Sequence, residues 1–455
     1  MKKTLLTTLI ALSCSFSTYS HAEDLMQVYE IALENDPVVL KAKANAEAQE
    51  HNTDRALSAL LPQLGFSMGY TKSESDSYEF DDDLLQLVKV DSERDTFSRE
   101  IGLSQAIFDL NAWRSLDIAE KQALQQKTVY DQAQQALIVR VAQGYFEVLA
   151  AIDTLEFVQA EKRAIERQLE QTKQRFAVGL TAITDVHEAQ AQFDNSVARE
   201  IVAKNDVETA REKLREITGK YHAKLDQLDT ETFSTVKPNK ATEDFVTLAK
   251  ANNLELQVAK ASVDIAKQQI DLAQTGHYPK LTLNAAYGDS LVDSERTIMG
   301  QTVVNDHVPR GDTASVGLNF ELPLYSGGAT VASTDQARAL YVVASEDLEA
   351  TLRGVTRTTI TSYNQVVSDI ATYRALEQAV VSAESALQAT EAGFEVGTRT
   401  IVDVLISTQN LYNAKRNLAD VRYRYVVSTL ALKQAAGTLT AEDLQAINQG
   451  LKPQS

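Results

Sequence analysis

The residues able to do chemistry are few and far apart. Six histidines (His21, His51, His187, His222, His277 and His307) are scattered over 455 residues. None has HExxH spacing, no glycine-rich phosphate loop is present, and no Ser, His and Asp group as a triad would. Asp185 and Asp403 pair by pattern, but each lies in a turn motif that occurs twice rather than beside a second acid. Acid–base catalysis needs both groups at one substrate. The pattern argues against an enzyme, and no cofactor or metal motif is present.

That repeated motif is the first sign of organisation. RFAVGLTAITDV at 175–186 matches GFEVGTRTIVDV at 393–404 at Phe176/Phe394, Val178/Val396, Gly179/Gly397, Ile183/Ile401, Asp185/Asp403 and Val186/Val404. The same 218-residue offset pairs Tyr145 with Tyr363 and Gly219 with Gly437, and an offset of 217 pairs Pro62 with Pro279. So long a period is a duplication, not a solenoid repeat, and each half is expected to fold alike.

Lys2-Lys3, an apolar run from Leu5 to Cys14 and Ser20-His21-Ala22 read as a secretory signal with cleavage after Ala22. Cys14, the one cysteine, reads as part of that apolar run, because Ala11-Leu12-Ser13 is a poor lipoprotein signal. Without the two leader lysines, 42 basic face 63 acidic residues, a formal charge of −21. Nucleic acid is excluded as a partner on charge. No later stretch reads as a transmembrane helix, so membrane insertion requires a β-barrel.

Two segments are unusually long for helices. From Asn111 to Ala177 there is no proline and one glycine, with Ile138, Val141, Tyr145, Val148, Ile152 and Leu155 spaced three and four apart. Ala329 to Ala392 repeats the rhythm through Tyr363, Val366, Ile370 and Tyr373. Such heptad seams imply supercoiled helices, each about 100 Å long. A shorter helix follows each, Thr184 to Thr218 and about Thr400 to Ala436, the latter with Leu411, Ala414, Leu418, Val421, Tyr425, Ser428, Leu432 and Ala435 as one seam. Asn35-Asp36-Pro37 opens another helix, to about Leu60. Two short helices stacked end to end are expected to match one long helix.

Four segments alternate with period two, around Leu64–Tyr70, Phe97–Ile107, Leu281–Tyr287 and Val316–Leu324, with Arg99 and Gln105 interrupting one apolar face. A half-buried sheet on a helical protein is one reading, and a membrane barrel is the other. Four strands cannot close a barrel, which takes about eight, so the second reading requires several chains to share one. The polar stretches 71–96 and 288–313, the first containing Asp81-Asp82-Asp83, read as exterior loops.

LLPQLG at 60–65, QAIFD at 105–109, TKQRFAVGLTAITDV at 172–186 and VGTRTIVDVL at 396–405 resemble the TolC family, over about residues 23–451. The resemblance implies a mainly α fold with a β-barrel portion: a homotrimer with a shared 12-stranded barrel and a coiled-coil periplasmic tunnel. It also implies an outer-membrane location projecting into the periplasm. Expected partners are outer-membrane lipid, a periplasmic adaptor and an inner-membrane pump of RND, ABC or MFS type, with drugs, bile salts and protein toxins as cargo. A coiled-coil structural or adhesion protein without a pore is the alternative. The expected parts are the signal peptide (1–22), periplasmic helices (23–62), strands with an exterior loop (63–108), a helical hairpin (109–219) and a mixed equatorial segment (220–253). The second half repeats them as a helix (254–279), strands with a loop (280–325), a hairpin (326–437) and a C-terminal equatorial segment (438–455).

By the same resemblance the tunnel narrows at the hairpin turns. Arg399 and Arg422 are implied as gate-latching residues, with Thr184, Asp185 and Gln168 as partners. The family's tyrosine falls at Phe394, so one link is expected to be missing. Asp403 is implied as a constriction carboxylate whose threefold neighbours raise its pKa, and Ile406 replaces the family's second aspartate. Gly179 and Gly397 are implied as adaptor-docking tips.

Overall fold

The computed structural model describes residues 22–82, 85–304 and 310–453. Cys14 and the expected leader up to His21 lie outside them, as do Asp83 and His307. Both halves of the chain build the same series. In the first, α1 (Leu25–Asn35) and α2 (Pro37–Ser58) lead into β1 (Gln63–Asp81) and β2 (Gln86–Asp109), then α3 (Leu110–Ala177) and α4 (Ile183–Thr218), with β3 (Gln227–Leu228) after them. In the second, α5 (Thr242–Asn252) and α6 (Leu254–Gln274) lead into β4 (Lys280–Ile298), β5 (Gln301–Val304) and β6 (Arg310–Glu321), then α7 (Ala329–Glu395) and α8 (Ile401–Ala435). Helix α9 (Ala441–Asn448) and β7 (Leu451–Lys452) follow, and β7 pairs with β3.

Local chemistry sets these boundaries. Asp24 caps α1 by accepting the Gln27 N–H at 2.7 Å, and Asp36 accepts the Val39 N–H at 2.9 Å as α2 opens on Pro37. A proline in the first turn gives up an N–H that has no helical partner anyway. Helix α4 ends at Gly219 (φ 71°), and α8 runs out at Gly437 (φ 70°), both left-handed. A Cβ on Gly219 would lie 3.8 Å from Asn35 Cβ, between α1 and α2, and one on Gly437 would lie 2.5 Å from the Asn252 carbonyl carbon, between α5 and α6. The shorter hairpin helices therefore each end against the junction of two other helices.

The chain divides into two units, residues 1–44, 128–257 and 349–455 in one and 45–127 and 258–348 in the other. The first holds both hairpin turns. Its main core contains Leu25, Leu137, Tyr145, Leu149, Leu214 and Leu430. Phe146 stacks on Tyr423 at 5.7 Å between centroids, and the buried Tyr145 hydroxyl donates to the Asp226 carbonyl at 2.8 Å. The single seam expected on α8 is incomplete. Leu411, Val421, Ser428, Leu432 and Ala435 are buried, but so are Ala419, Tyr423, Val426 and Leu430. A helix packed on two sides buries two stripes, which a one-seam pattern cannot express. One stretch of α3 is long and apolar enough by composition to cross a bilayer, contrary to the expectation of none, and half of it is buried inside the chain.

The second unit holds the antiparallel sheet, ordered β1–β2–β4 with β5 and β6 both pairing β4. The stretches expected as exterior loops are mostly strand: Thr71 pairs Thr96, Asp76 pairs Asp91, and Asp289 pairs Asp312. The alternation rule failed there because polar side chains occupy both faces, while backbone pairing needs no apolar face. Residues in register share a face, which places Leu64, Leu103, Ala285 and Val316 together, and Phe66, Ile101, Tyr287 and Ala314 beside them. Leu64 and Val316 are 74% and 78% exposed. Arg99, which interrupts this face, stands opposite Asp289 and donates Nε–H to it at 3.1 Å. Gln105 donates to the Leu60 carbonyl at 2.7 Å, beside the irregularity between Ala106 and Phe108. Strands β1 and β6 each lack a second partner among the described residues.

Candidate functional site

The two hairpin turns are built alike. Gly179 (φ 78°) and Gly397 (φ 79°) are left-handed. Leu180 N–H donates to the Arg175 carbonyl and Thr398 N–H to the Gly393 carbonyl, both at 2.8 Å. These closures satisfy the last carbonyls of α3 and α7. A Cβ would have open space at both glycines, so glycine is needed for the sign of φ, not for room. Val178, Leu180 and Val396 project around them, 70%, 69% and 76% exposed.

The copies differ where charge is placed. Arg175 in the first turn corresponds to Gly393 in the second, and Thr181 corresponds to Arg399. Gly393 makes room for Arg399, whose Cγ would lie 2.8 Å from any Cβ there. Arg175 crosses between the hairpins, its guanidinium carbon 4.7 Å from the centre of the Phe394 ring. The ring therefore has a partner although it has no hydroxyl. Sequence reasoning passed over Arg175; the signal was a guanidinium in one copy where the other has glycine.

Thr400 and Asp403 form a capping box at the start of α8: Asp403 accepts the Thr400 N–H at 2.9 Å, and the Thr400 hydroxyl accepts the Asp403 N–H at 3.3 Å. The Thr400 N–H and hydroxyl, with the nearby Arg399 charge, hold the Asp403 carboxyl below its ordinary value. Within one chain this opposes the rise expected from threefold repulsion. In the first copy Ala182 stands at the cap and makes no side-chain bond. The Thr181 hydroxyl donates to Asp185 instead.

The other expected residues are dispersed. Gln168 is buried on α3 and donates Nε2–H to the Thr408 hydroxyl at 3.0 Å. Thr184 is exposed, and Ile406 is exposed three residues beyond Asp403. Arg422 lies over the Phe233 ring at 5.8 Å, about 21 Å along α8 from the Thr408 that Gln168 meets. Among the described residues, none of Thr184, Asp185 and Gln168 is hydrogen-bonded to Arg399 or Arg422. Beside Arg422, burial raises the pKa of Asp153 despite the hydrogen bond it accepts from the Tyr423 hydroxyl at 2.7 Å.

No group of three His, Cys, Asp or Glu side chains is placed to hold a metal among the described residues. The turns present exposed apolar tips, an arginine packed over Gly393 and a carboxylate.

Comparison with known proteins agrees with this layout. The family model for outer membrane efflux proteins matches residues 28–220 and 245–438, which are the two halves of the duplication. The outer membrane protein TolC of Vibrio cholerae is 45% identical over 454 residues, 99% of each chain. That of Escherichia coli is 44% identical, covering 100% of this chain and 90% of its own. Among solved structures, the outer membrane protein VceC of Vibrio cholerae superposes with a TM-score of 0.73 at 22% identity, over 91% of this chain and 96% of its own. With two such turns, an apolar-faced sheet whose outer strands lack a second partner among the described residues, and these matches, the chain belongs to the outer membrane efflux protein family, as a TolC-like channel of the outer membrane.

Proposed function

We propose that the protein works as a homotrimer whose periplasmic end is a gate made of the two hairpin turns. Three copies of β1, β2, β4 and β6 close a 12-stranded barrel, which removes the open edges that lipid does not tolerate. Arg399, rising from the cleft above Gly393, latches to Thr184 and Asp185 of the neighbouring protomer; a guanidinium suits a carboxylate partner. Arg175 on Phe394 holds the two hairpins of one protomer together. Gln168 contributes by its bond to Thr408, and Arg422 braces α8 against Phe233 instead of joining the latch. Asp403 forms the constriction ring, with Ile406 making its second tier apolar.

The exposed tips around Gly179 and Gly397 dock a periplasmic adaptor and through it an inner-membrane pump of RND, ABC or MFS type. Drugs and bile salts are the proposed cargo. Protein cargo is supported by similarity to the alkaline protease secretion protein AprF of Pseudomonas aeruginosa, 31% identical over 93% of this chain and 86% of its own. The observation that carries the gate is the matched pair of turns with a guanidinium displaced from one copy into the other. Arg399→Ala is expected to raise single-channel conductance in planar bilayers several-fold. Unchanged conductance would remove the latch.

A further inference from the structure

Two of the three apolar clusters in the unit that bears the turns share helices α3, α4 and α8, and the third lies around Phe245, Val366 and Ile370. The larger of the two runs through Leu137, Tyr145, Leu149, Leu214, Tyr423 and Leu430. The smaller, near the turns, consists of Ile165, Leu169, Ala189, Ile401, Val404 and Leu405. Between these cores the three shared helices still bury Val158, Ala203, Val207, Leu411, Ala419 and Val421, and at one level among them they carry a charged layer. It contains Glu161 and Lys162 on α3, Arg199 and Glu200 on α4, and Arg416 on α8.

Glu161 is the centre of that layer and is 0% exposed. Its carboxylate accepts from Arg199 at 2.8 Å and from Arg416 at 3.0 Å. One buried acid thus ties α3 both to its own hairpin partner and to the second hairpin. Lys162 and Glu200 reinforce the α3–α4 side at 2.7 Å. The duplication does not repeat the device: the equivalent positions hold Ala379, Asn417 and Ala198.

We infer that Glu161 is a positioning residue of the gate, the fulcrum below which the hairpin tips part and above which they stay joined. This rests on the gate reading above. Apolar contacts are non-directional and re-form after a small shift. An ion triad is not so tolerant, because moving α8 away from α3 at this level leaves a carboxylate short of a partner where no water reaches it. The 18 residues from Glu161 to Gly179, about 27 Å of helix, meet α8 through the small core and the Gln168–Thr408 bond. Motion starting at the turns therefore meets little resistance until it reaches Glu161.

The test uses the full-length protein in planar bilayers, with heat-resistant migration of the assembled form as a control for folding. Conductance is compared for wild type, R399A, R399A with E161Q, and R399A with R416Q. The fulcrum predicts that R399A raises conductance and that adding either second change raises it at least twofold more, because opening then travels past the polar layer. If R399A does nothing, the gate reading falls and the fulcrum with it. If R399A opens the channel but neither second change adds to it, the fulcrum alone is overturned, even where thermal stability of the assembly drops. R416Q keeps the Glu161–Arg199 pair and decides the matter should E161Q fail to assemble.

Discussion

The Arg175 guanidinium sits 4.7 Å from the Phe394 ring centre, joining the end of α3 to the end of α7. Cation–π contacts at such part-exposed sites contribute about 1 kcal/mol. Phe394→Leu and Arg175→Gln should each loosen the turns by about that amount, read as faster amide exchange at residues 392–398. Phe394→Tyr keeps the π face and should leave exchange slow. Additive single effects in the double variant would show that the two residues do not interact.

Gly219 and Gly437 occupy equivalent positions with nearly equal φ, yet their surroundings differ. An added Cβ meets only a side-chain carbon at 3.8 Å at Gly219, but backbone atoms at 2.5–2.6 Å at Gly437. Gly219→Ala should cost about 1–2 kcal/mol, the left-handed penalty alone. Gly437→Ala adds a clash that the Asn252–Asn253 junction must move to relieve. Urea midpoints should separate the two variants clearly, and equal midpoints would contradict this account.

Asp36 is 1% exposed and takes both terminal nitrogens of Arg140 at 2.9 Å. Burial pushes its carboxyl up, but Arg140 and the Val39 N–H outweigh burial and leave its pKa lowered. Removing one partner of a buried pair is costly. Asp36→Ala should lose about 3 kcal/mol, the low end because Arg140 still reaches water. A loss under about 1 kcal/mol in chemical denaturation would place the pair among ordinary surface bridges.

Glu23 gives the pH dependence. Burial raises its pKa, but hydrogen bonds from Lys220 and His222 prevail and hold it below the ordinary 4.5. A depressed carboxyl contributes stability above its unfolded value and loses it as pH falls through the folded one. Glu23→Gln should therefore be less stable than wild type at pH 7, with the gap closing below about pH 4. A gap that persists unchanged at pH 3 would rule out this linkage.

Ile406 lies on the exposed side of α8, three residues after Asp403. Ile406→Asp would place a second carboxylate on that face. Each added charge in a wet pore contributes about 1 kcal/mol toward a bound cation. Block of conductance by a trivalent cation should tighten at least roughly tenfold. No change in block would mean that Ile406 does not face the constriction.

Much of this protein was legible in the sequence. The 218-residue duplication, the proline-free helices and the period-two faces are local or periodic signals, and Gly179, Gly219, Gly397 and Gly437 mark the chain reversals because only glycine adopts φ > 0 freely. The four-strand count also implied an unclosed sheet before any relative was considered. Tertiary structure decided what depends on neighbours distant in sequence. It set how far strands continue past the apolar alternation, which second stripe of α8 is buried, and that Phe394 meets Arg175 through its ring face. It also brought Glu161, Arg199 and Arg416 together from three helices. A charged residue on a long helix looks solvated in sequence, and only packing shows whether water or another helix faces it. The hairpin turns followed the same division: the turns and their glycines could be read directly, whereas the partners of each charge could not.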